Sequence, residues 1–301
     1  MQYGSAELRI KETKDKTKRA GMDISFLALV VILLAIGVTM VLSASFARAY
    51  FDPGGVTKGK ATYYFIRQFI FAALGVAAMI ICSRLPVGFY KRFSMPVLIA
   101  AVILLMLVPI IGTNANGAKR WIGLGAFTIQ PSEIAKIGII LAFASMICAR
   151  RGRMKSFRYG ILPFAAILAA IVGLLVLEPH FSASIIIVAI GGVMLFLGGA
   201  RLIWFIAAAV AAGGGIAVLL TMFPYASTRI TTWRDPFAST SDEGYQIVQS
   251  LYSIGSGGLT GLGLGQSRQK YLYLPEEHND FIFSVVCEEL GFILSPYTHL
   301  R

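Results

Sequence analysis

The residues best suited to chemistry lie in the stretch YLPEEHNDFIFSVVCEELGF, residues 273–292. Glu276, Glu277, His278 and Asp280 crowd the edge of an apolar run, and Asp280 directly precedes Phe281-Ile282-Phe283. A carboxylate there sits at the mouth of the last apolar helix, near its positive N-terminal end. Two readings stay open: an aspartate that caps the helix, or a carboxylate held ready to take a proton. Farther in, Glu288 and Glu289 fall within the apolar run, where a charge is costly unless the helix faces protein or water.

A second set of charges lies in NGAKRWIGLGAFTIQPSEIAK, residues 116–136. Asn116-Gly117 signals a turn. Lys119, Arg120 and Trp121 follow, a triplet that reads either as an interfacial anchor or as a site for an anionic head group. Pro131 suits the first turn of a helix, and Glu133 and Lys136, three apart, share one helical face. They form either a structural ion pair within a bundle or part of a polar cavity that holds a phosphate or positions a catalytic carboxylate. Glu178-Pro179-His180, between two apolar runs, is either a tight polar turn or part of a site. The glycine-rich run IGSGGLTGLGLG (254–265) matches neither phosphate-loop pattern and lacks a surrounding βαβ unit. Its glycines are expected to give tight turns and close backbone approach, with freed N–H groups able to meet an anion.

The elements that carry these residues are membrane helices. Apolar residues make up 56% of the 301 and charged residues 14%, against about 25% charged in soluble domains. At about 20 apolar residues per crossing, the chain offers about eight spans, near 24–45, 64–83, 94–112, 131–149, 160–178, 182–200, 203–223 and 281–295. The expected fold is all-α, a polytopic transmembrane bundle over residues 24–301. The first span is too long for a signal-peptide core and follows a basic arm, residues 1–23, with Arg9, Lys11, Lys14, Lys16, Lys18 and Arg19. The positive-inside rule then puts the N-terminus in the cytoplasm, together with Arg84–Arg92, Arg150–Arg158 and Arg201. It puts three less apolar segments outside: 46–63, 113–130 and the long 224–280. The net charge of +12 sits between apolar runs rather than on a stripe interleaved with aromatics, so it speaks for topology and not for nucleic acid. Cys82, Cys148 and Cys287 have no zinc-like spacing.

Three ordered runs, NGAKRWI with QPSEIAK, GYQIVQSLYSIGSGGLTGLGLG, and SRQKYLYLPEEHNDFIFSVVCEELGF, together resemble the SEDS family (shape, elongation, division and sporulation). The likeness covers the chain to about Leu294 and is nearer the division and sporulation branch. It implies a peptidoglycan glycosyltransferase at the outer face of the cell membrane. The implied substrate is lipid II, a disaccharide-peptide on undecaprenyl pyrophosphate. The implied partners are a class B penicillin-binding protein and other division or sporulation membrane proteins. By the resemblance Asp280 is the catalytic residue and Glu133 and Lys136 are functionally important; Lys119, Arg120, Trp121, Glu133, Lys136, Gln246, Glu276 and His278 make up the expected substrate-binding set. The chain departs from the family in reading EPHFSAS where P-D-[LF]-G is common. It also carries about eight spans where members have about ten, and its tail SPYTHLR does not resemble the family's continuation, as in a truncated chain.

Those residues support a mechanism with Asp280 as general base. An acceptor hydroxyl loses its proton to Asp280 while attacking the donor anomeric carbon, with inversion, and the pyrophosphate leaves against positive charge. Lys119, Arg120, Lys136, Arg229 and Arg234 are candidates for that charge. A divalent cation could share the task, although no ligand spacing establishes one. Two other readings stay open: a lipid II flippase, which intramembrane Glu133, Lys136, Glu288 and Glu289 also suit, and a non-catalytic division scaffold.

Overall fold

A computed structural model describes residues 23–115, 118–124, 127–178, 180–222, 231–238 and 243–297. Its main α-helices are α1 (Ile24–Tyr50), α2 (Tyr63–Arg84), α3 (Val87–Ile111), α4 (Pro131–Ala149), α5 (Leu162–Leu177), α6 (Phe181–Leu197), α7 (Leu202–Met222), α8 (Glu243–Ser256) and α9 (Ile282–Tyr297), with a further helical turn at 231–234. The expected spans correspond to α1–α7 and α9. Counting α5 with the turn before it, five helices among the described residues are long and apolar enough to cross a membrane: Ile24–Tyr50, Tyr63–Arg84, Val87–Ile111, Pro131–Ala149 and Phe157–Leu177. The chain is a polytopic helical membrane protein, as its composition requires.

Several boundaries differ from expectation. The third helix starts at Val87, after Pro86, so Lys91 and Arg92 belong to a helix and not to a loop. Past Gly88 in the first turn no breaker lies before Pro96, and the α-helix, once nucleated, propagates. Pro96 and Pro109 lie inside α3, a pattern tolerated in membrane helices because neighbouring groups satisfy the freed carbonyls. The first helix runs on to Tyr50, with Asp23 capping its start by accepting from the Phe26 amide at 3.0 Å. The segment 113–130 is not a featureless loop. It holds a three-stranded antiparallel sheet, β1 (Thr113–Ala115), β2 (Ala118–Leu124) and β3 (Phe127–Ile129), a local addition to an otherwise helical chain. The segment 224–280 contains α8.

The chain divides into two compact units, one made of 1–80 with 225–301, the other of 81–224. In the second, α3, α4, α5 and α6 share one apolar core. Leu98, Ala101, Leu105 and Val108 recur at helical spacing on α3, and Ala135, Ile139, Ala142 and Phe143 on α4. A Cβ on Gly138 would sit 3.1 Å from the Leu98 backbone. Small residues therefore let α3 and α4 approach closely, the usual way membrane helices gain packing. Phe143 meets Phe164 of α5 edge-on, with ring centroids 4.9 Å apart.

In the first unit, Met40 and Ala44 of α1 pack with Leu274 and with Val285 and Val286 of α9. The last helix is interrupted at Gly291, whose φ of 73° and ψ of 176° belong to a region that is essentially glycine-only. There the glycine-rich segment lies directly on the helix backbone. The amides of Leu262 and Gly263 donate to the carbonyls of Glu288 and Glu289, and those of Phe292 and Ile293 donate to Gly258 and Leu259. A Cβ on Gly257, Gly261 or Gly291 would overlap backbone atoms of the other strand. The expectation of turns and close backbone approach holds.

Candidate functional site

Two polar clusters carry the candidate residues, one in each unit. In the first unit, Asp280 stands in the turn that leads into α9, two residues before the helix begins. It is exposed and, among the described residues, has no hydrogen bond or ion pair. The capping alternative fails: the first amides of α9 are taken by backbone, Ile282 donating to Asn279 and Ser284 to Phe281. The residues just before Asp280 are, by contrast, tied down. Glu276 has φ 53°, a left-handed conformation costing about 1–2 kcal/mol outside glycine. The turn holds it there: its carbonyl accepts from Asn279 and Phe281, and its carboxylate from the Asn279 amide group at 2.8 Å. Arg48, in the last turn of α1, reaches both neighbouring acids, with Nε 3.0 Å from Glu277 and Nη1 3.6 Å from Glu276. Glu277 is fully buried, and its second carboxylate oxygen has no partner among the described residues. His278 packs its ring on Tyr64 of α2 at 4.5 Å, and burial pushes its imidazole below the usual range despite Glu277 nearby. Burial thus favours its neutral form.

Behind this turn, Glu288 and Glu289 are each only 1% exposed, and their cost is met by protein. Glu288 accepts from Ser253 Oγ (3.0 Å), Ser267 Oγ (2.6 Å) and the amides of Arg268 and Gln269. Glu289 accepts from Ser43 Oγ and the Ser267 amide and pairs with Lys270 Nζ at 3.0 Å. Lys270 Nζ also donates to Gly265 O and Ser43 Oγ. This network joins α1, α8, the 265–270 segment and α9 into one body. Gln246 is half-buried on α8 and makes no side-chain hydrogen bond among the described residues.

In the second unit, β2 brings Arg120 beside Glu178, at the end of α5, and His180, at the start of α6. Glu178 is 3% exposed, and burial raises its carboxyl to about 7 even though Arg120 pulls the other way. His180 is pushed down by burial, then by Arg120 and Lys136, with Glu133 opposing. Its Nε2 lies 3.5 Å from Gln130 Nε2. Glu133 and Lys136 form the expected pair at 2.8 Å, with Glu133 58% exposed. Lys119 is exposed and donates to Pro109 O, while Trp121 faces outward at 37% exposure. Arg120, Glu133 and Lys136 thus share one electrostatic cluster with Glu178 and His180, and Trp121 stays at its rim. Arg234 is exposed, and Arg229 lies outside the described residues. For the divalent cation, no three His, Cys, Asp or Glu side chains converge as ligands among the described residues.

Sequence reasoning passed over Arg48, Ser43, Tyr64 and Lys270. A lone arginine closing an apolar run reads as an interfacial anchor, and a serine within such a run carries no signal. Their roles depend on which distant acid each one meets.

The family described as cell cycle protein FtsW/RodA/SpoVE matches residues 24–294. A probable peptidoglycan glycosyltransferase FtsW of Saccharophagus degradans is 41% identical over 278 residues, covering 90% of this chain and 70% of that protein. The stage V sporulation protein E of Bacillus subtilis is 37% identical over 280 residues, covering 92% and 75%. Among solved structures, a chain of a peptidoglycan synthase complex that coordinates polymerization and crosslinking superposes with a TM-score of 0.66 at 24% identity, over 91% of this chain and 72% of that one. The rod shape determining protein RodA of Thermus thermophilus gives a TM-score of 0.57 at 24% identity, over 91% and 69%. A match running through nearly every described helix and both polar clusters places the chain in the FtsW/RodA/SpoVE family of cell cycle proteins.

Proposed function

We propose that the chain is a peptidoglycan glycosyltransferase that polymerises glycan strands for cell division or sporulation, drawing on lipid II at the outer face of the membrane. The observation that carries the reading is the contrast at residues 276–280. Glu276, Glu277 and His278 are held by Arg48 and Tyr64, whereas the Asp280 carboxylate projects free of any protein partner among the described residues. An unpaired carboxylate on a tethered turn suits a general base, which must be ionised and within reach of a hydroxyl.

In the reaction, the acceptor sugar hydroxyl gives its proton to Asp280 as its oxygen forms a bond to the donor anomeric carbon. The bond from that carbon to the pyrophosphate oxygen breaks, and the lipid pyrophosphate leaves with the electron pair. Lys119, Arg120 and Lys136 bind and neutralise phosphate, with Glu133 orienting Lys136 through their ion pair. Trp121, Gln246, Glu276 and His278 complete the substrate-binding set, His278 as a neutral hydrogen-bonding group. A class B penicillin-binding protein is the proposed partner, cross-linking the strands. The N-terminus is proposed to be cytoplasmic, which puts the 150–158 turn inside and the 113–130 sheet and the Asp280 turn outside.

The flippase reading loses two of its four intramembrane charges. Glu288 and Glu289 are sealed among hydrogen-bond donors and Lys270 rather than lining a polar path. The test is polymerisation of purified lipid II by the full chain with its partner. Asp280→Asn is expected to slow polymer formation by about 10²-fold or more with the melting temperature unchanged. Near-normal polymer from that variant removes Asp280 as the base.

A further inference from the structure

A basic surface concavity lies far along the chain from the Asp280 turn, in the connection between α4 and α5. Arg150, Arg153 and Arg158 line one cavity of about 370 Å³, together with Tyr159 and, on its apolar side, Leu162 and Pro163 at the start of α5. None of the three arginines has an acidic partner among the described residues. Two of them, Arg153 and Arg158, stack over the Tyr159 ring at 5.8 and 5.9 Å.

This connection is a defined structure. Its amides are taken in sequence: Arg153 donates to Arg150 O at 2.8 Å, Ser156 to Arg153 O at 3.1 Å, and Gly160 to Ser156 O at 2.8 Å. Met154 and Ile161 anchor it in the apolar core beside Phe164. Gly160 is pressed onto the carbonyls of Arg153 and Met154, where a Cβ has no room. The fold therefore holds like charges together around a concavity, an arrangement that repels itself until an anion enters.

We infer that this cavity is a binding site for the head group of an anionic phospholipid. Guanidinium groups match phosphate oxygens with paired N–H donors. The apolar wall continues the exposed flank of a helix long enough to cross a membrane, so a ligand with phosphate at one end and acyl chain at the other fits both surfaces. Basic pockets at the ends of membrane helices recognise lipid head groups by this chemistry. The site does not depend on the reaction proposed above.

Native mass spectrometry of the full chain, released from micelles containing phosphatidylglycerol or phosphatidylcholine, reads the occupancy directly. Wild type is expected to retain one phosphatidylglycerol at least tenfold more tightly than phosphatidylcholine. Arg153→Gln with Arg158→Gln should erase that preference, and Arg153→Lys with Arg158→Lys should keep part of it. Arg151→Gln with Lys155→Gln removes the same charge from the same connection, outside this cavity, and should leave the preference within about twofold. Equal loss in both glutamine pairs would mean diffuse attraction to the surface and overturn the site. Displacement of the lipid by millimolar inorganic phosphate would make it a free-anion site and overturn the lipid assignment.

Discussion

Lys270→Met isolates the worth of the buried network behind the Asp280 turn. Methionine keeps the aliphatic stem and removes only the ammonium, which in wild type lies 3.0 Å from Glu289 and 2.6 Å from Gly265 O. Glu289, 1% exposed, would keep Ser43 Oγ and the Ser267 amide but lose its counter-charge. Breaking one side of a buried pair costs about 3–5 kcal/mol, a large part of the roughly 5–15 kcal/mol that holds a protein folded. Glu289→Gln should cost less, because Lys270 retains Gly265 O and Ser43 Oγ as acceptors. The double variant should recover most of the Lys270→Met loss, since no unpaired charge remains. Equilibrium unfolding in mixed micelles, followed by tryptophan fluorescence, measures all three. The reasoning fails if Lys270→Met stays within about 1 kcal/mol of wild type, or if the double variant simply adds the two single losses.

Arg48→Gln should lower kcat/KM for polymerisation by tenfold or more, because the tether of Glu276 and Glu277 is lost; steady-state kinetics on lipid II checks it. Gly291→Ala should cost about 2 kcal/mol or more, from a conformation that only glycine adopts and from overlap with the Thr260 and Gly261 backbone. Hydrogen exchange at the Phe292 and Ile293 amides, which bond to Gly258 and Leu259, should accelerate. Glu178 has a carboxyl raised to about 7 when folded, from 4.5. Between those values the folded state binds the extra proton, so this group's contribution to stability is full below pH 4.5 and is lost as pH rises through about 7. Glu178→Gln should remove that slope in melting temperatures recorded from pH 5 to pH 8. Glu133→Gln should change stability by less than about 1 kcal/mol, since the Glu133 side chain is exposed and Lys136 only half-buried, so any loss of polymerisation reports on the site and not the fold.

Much of this protein is legible in its sequence. Apolar run length fixes where backbone must become helix, because a bilayer leaves no water to satisfy open N–H and C=O groups, and seven successive spans fall where the runs lie. The Glu133–Lys136 pair follows from spacing on one helix, and the close packing of the 254–265 glycines from their missing side chains. What could not be read was the small sheet at 113–129, whose strands of three, seven and three residues are too short to show a strand period, and the break at Gly291, which an otherwise regular apolar run conceals.

The chemistry divides along the same line. Residue types and order alone determined that Asp280 stands at a helix mouth and that cations gather at 119–136, because these are local facts of a chain. Only the tertiary structure decided that Asp280 is left open while Glu276 and Glu277 are held by Arg48, and that Glu288 and Glu289 are sealed. The holding of Glu277 and of Glu289 depends on pairings across more than 200 residues of chain, Arg48 with Glu277 and Ser43 with Glu289, and that of Glu288 on partners 19–35 residues away. A buried charge takes whichever partner the packing brings to it, and sequence separation carries no record of that choice.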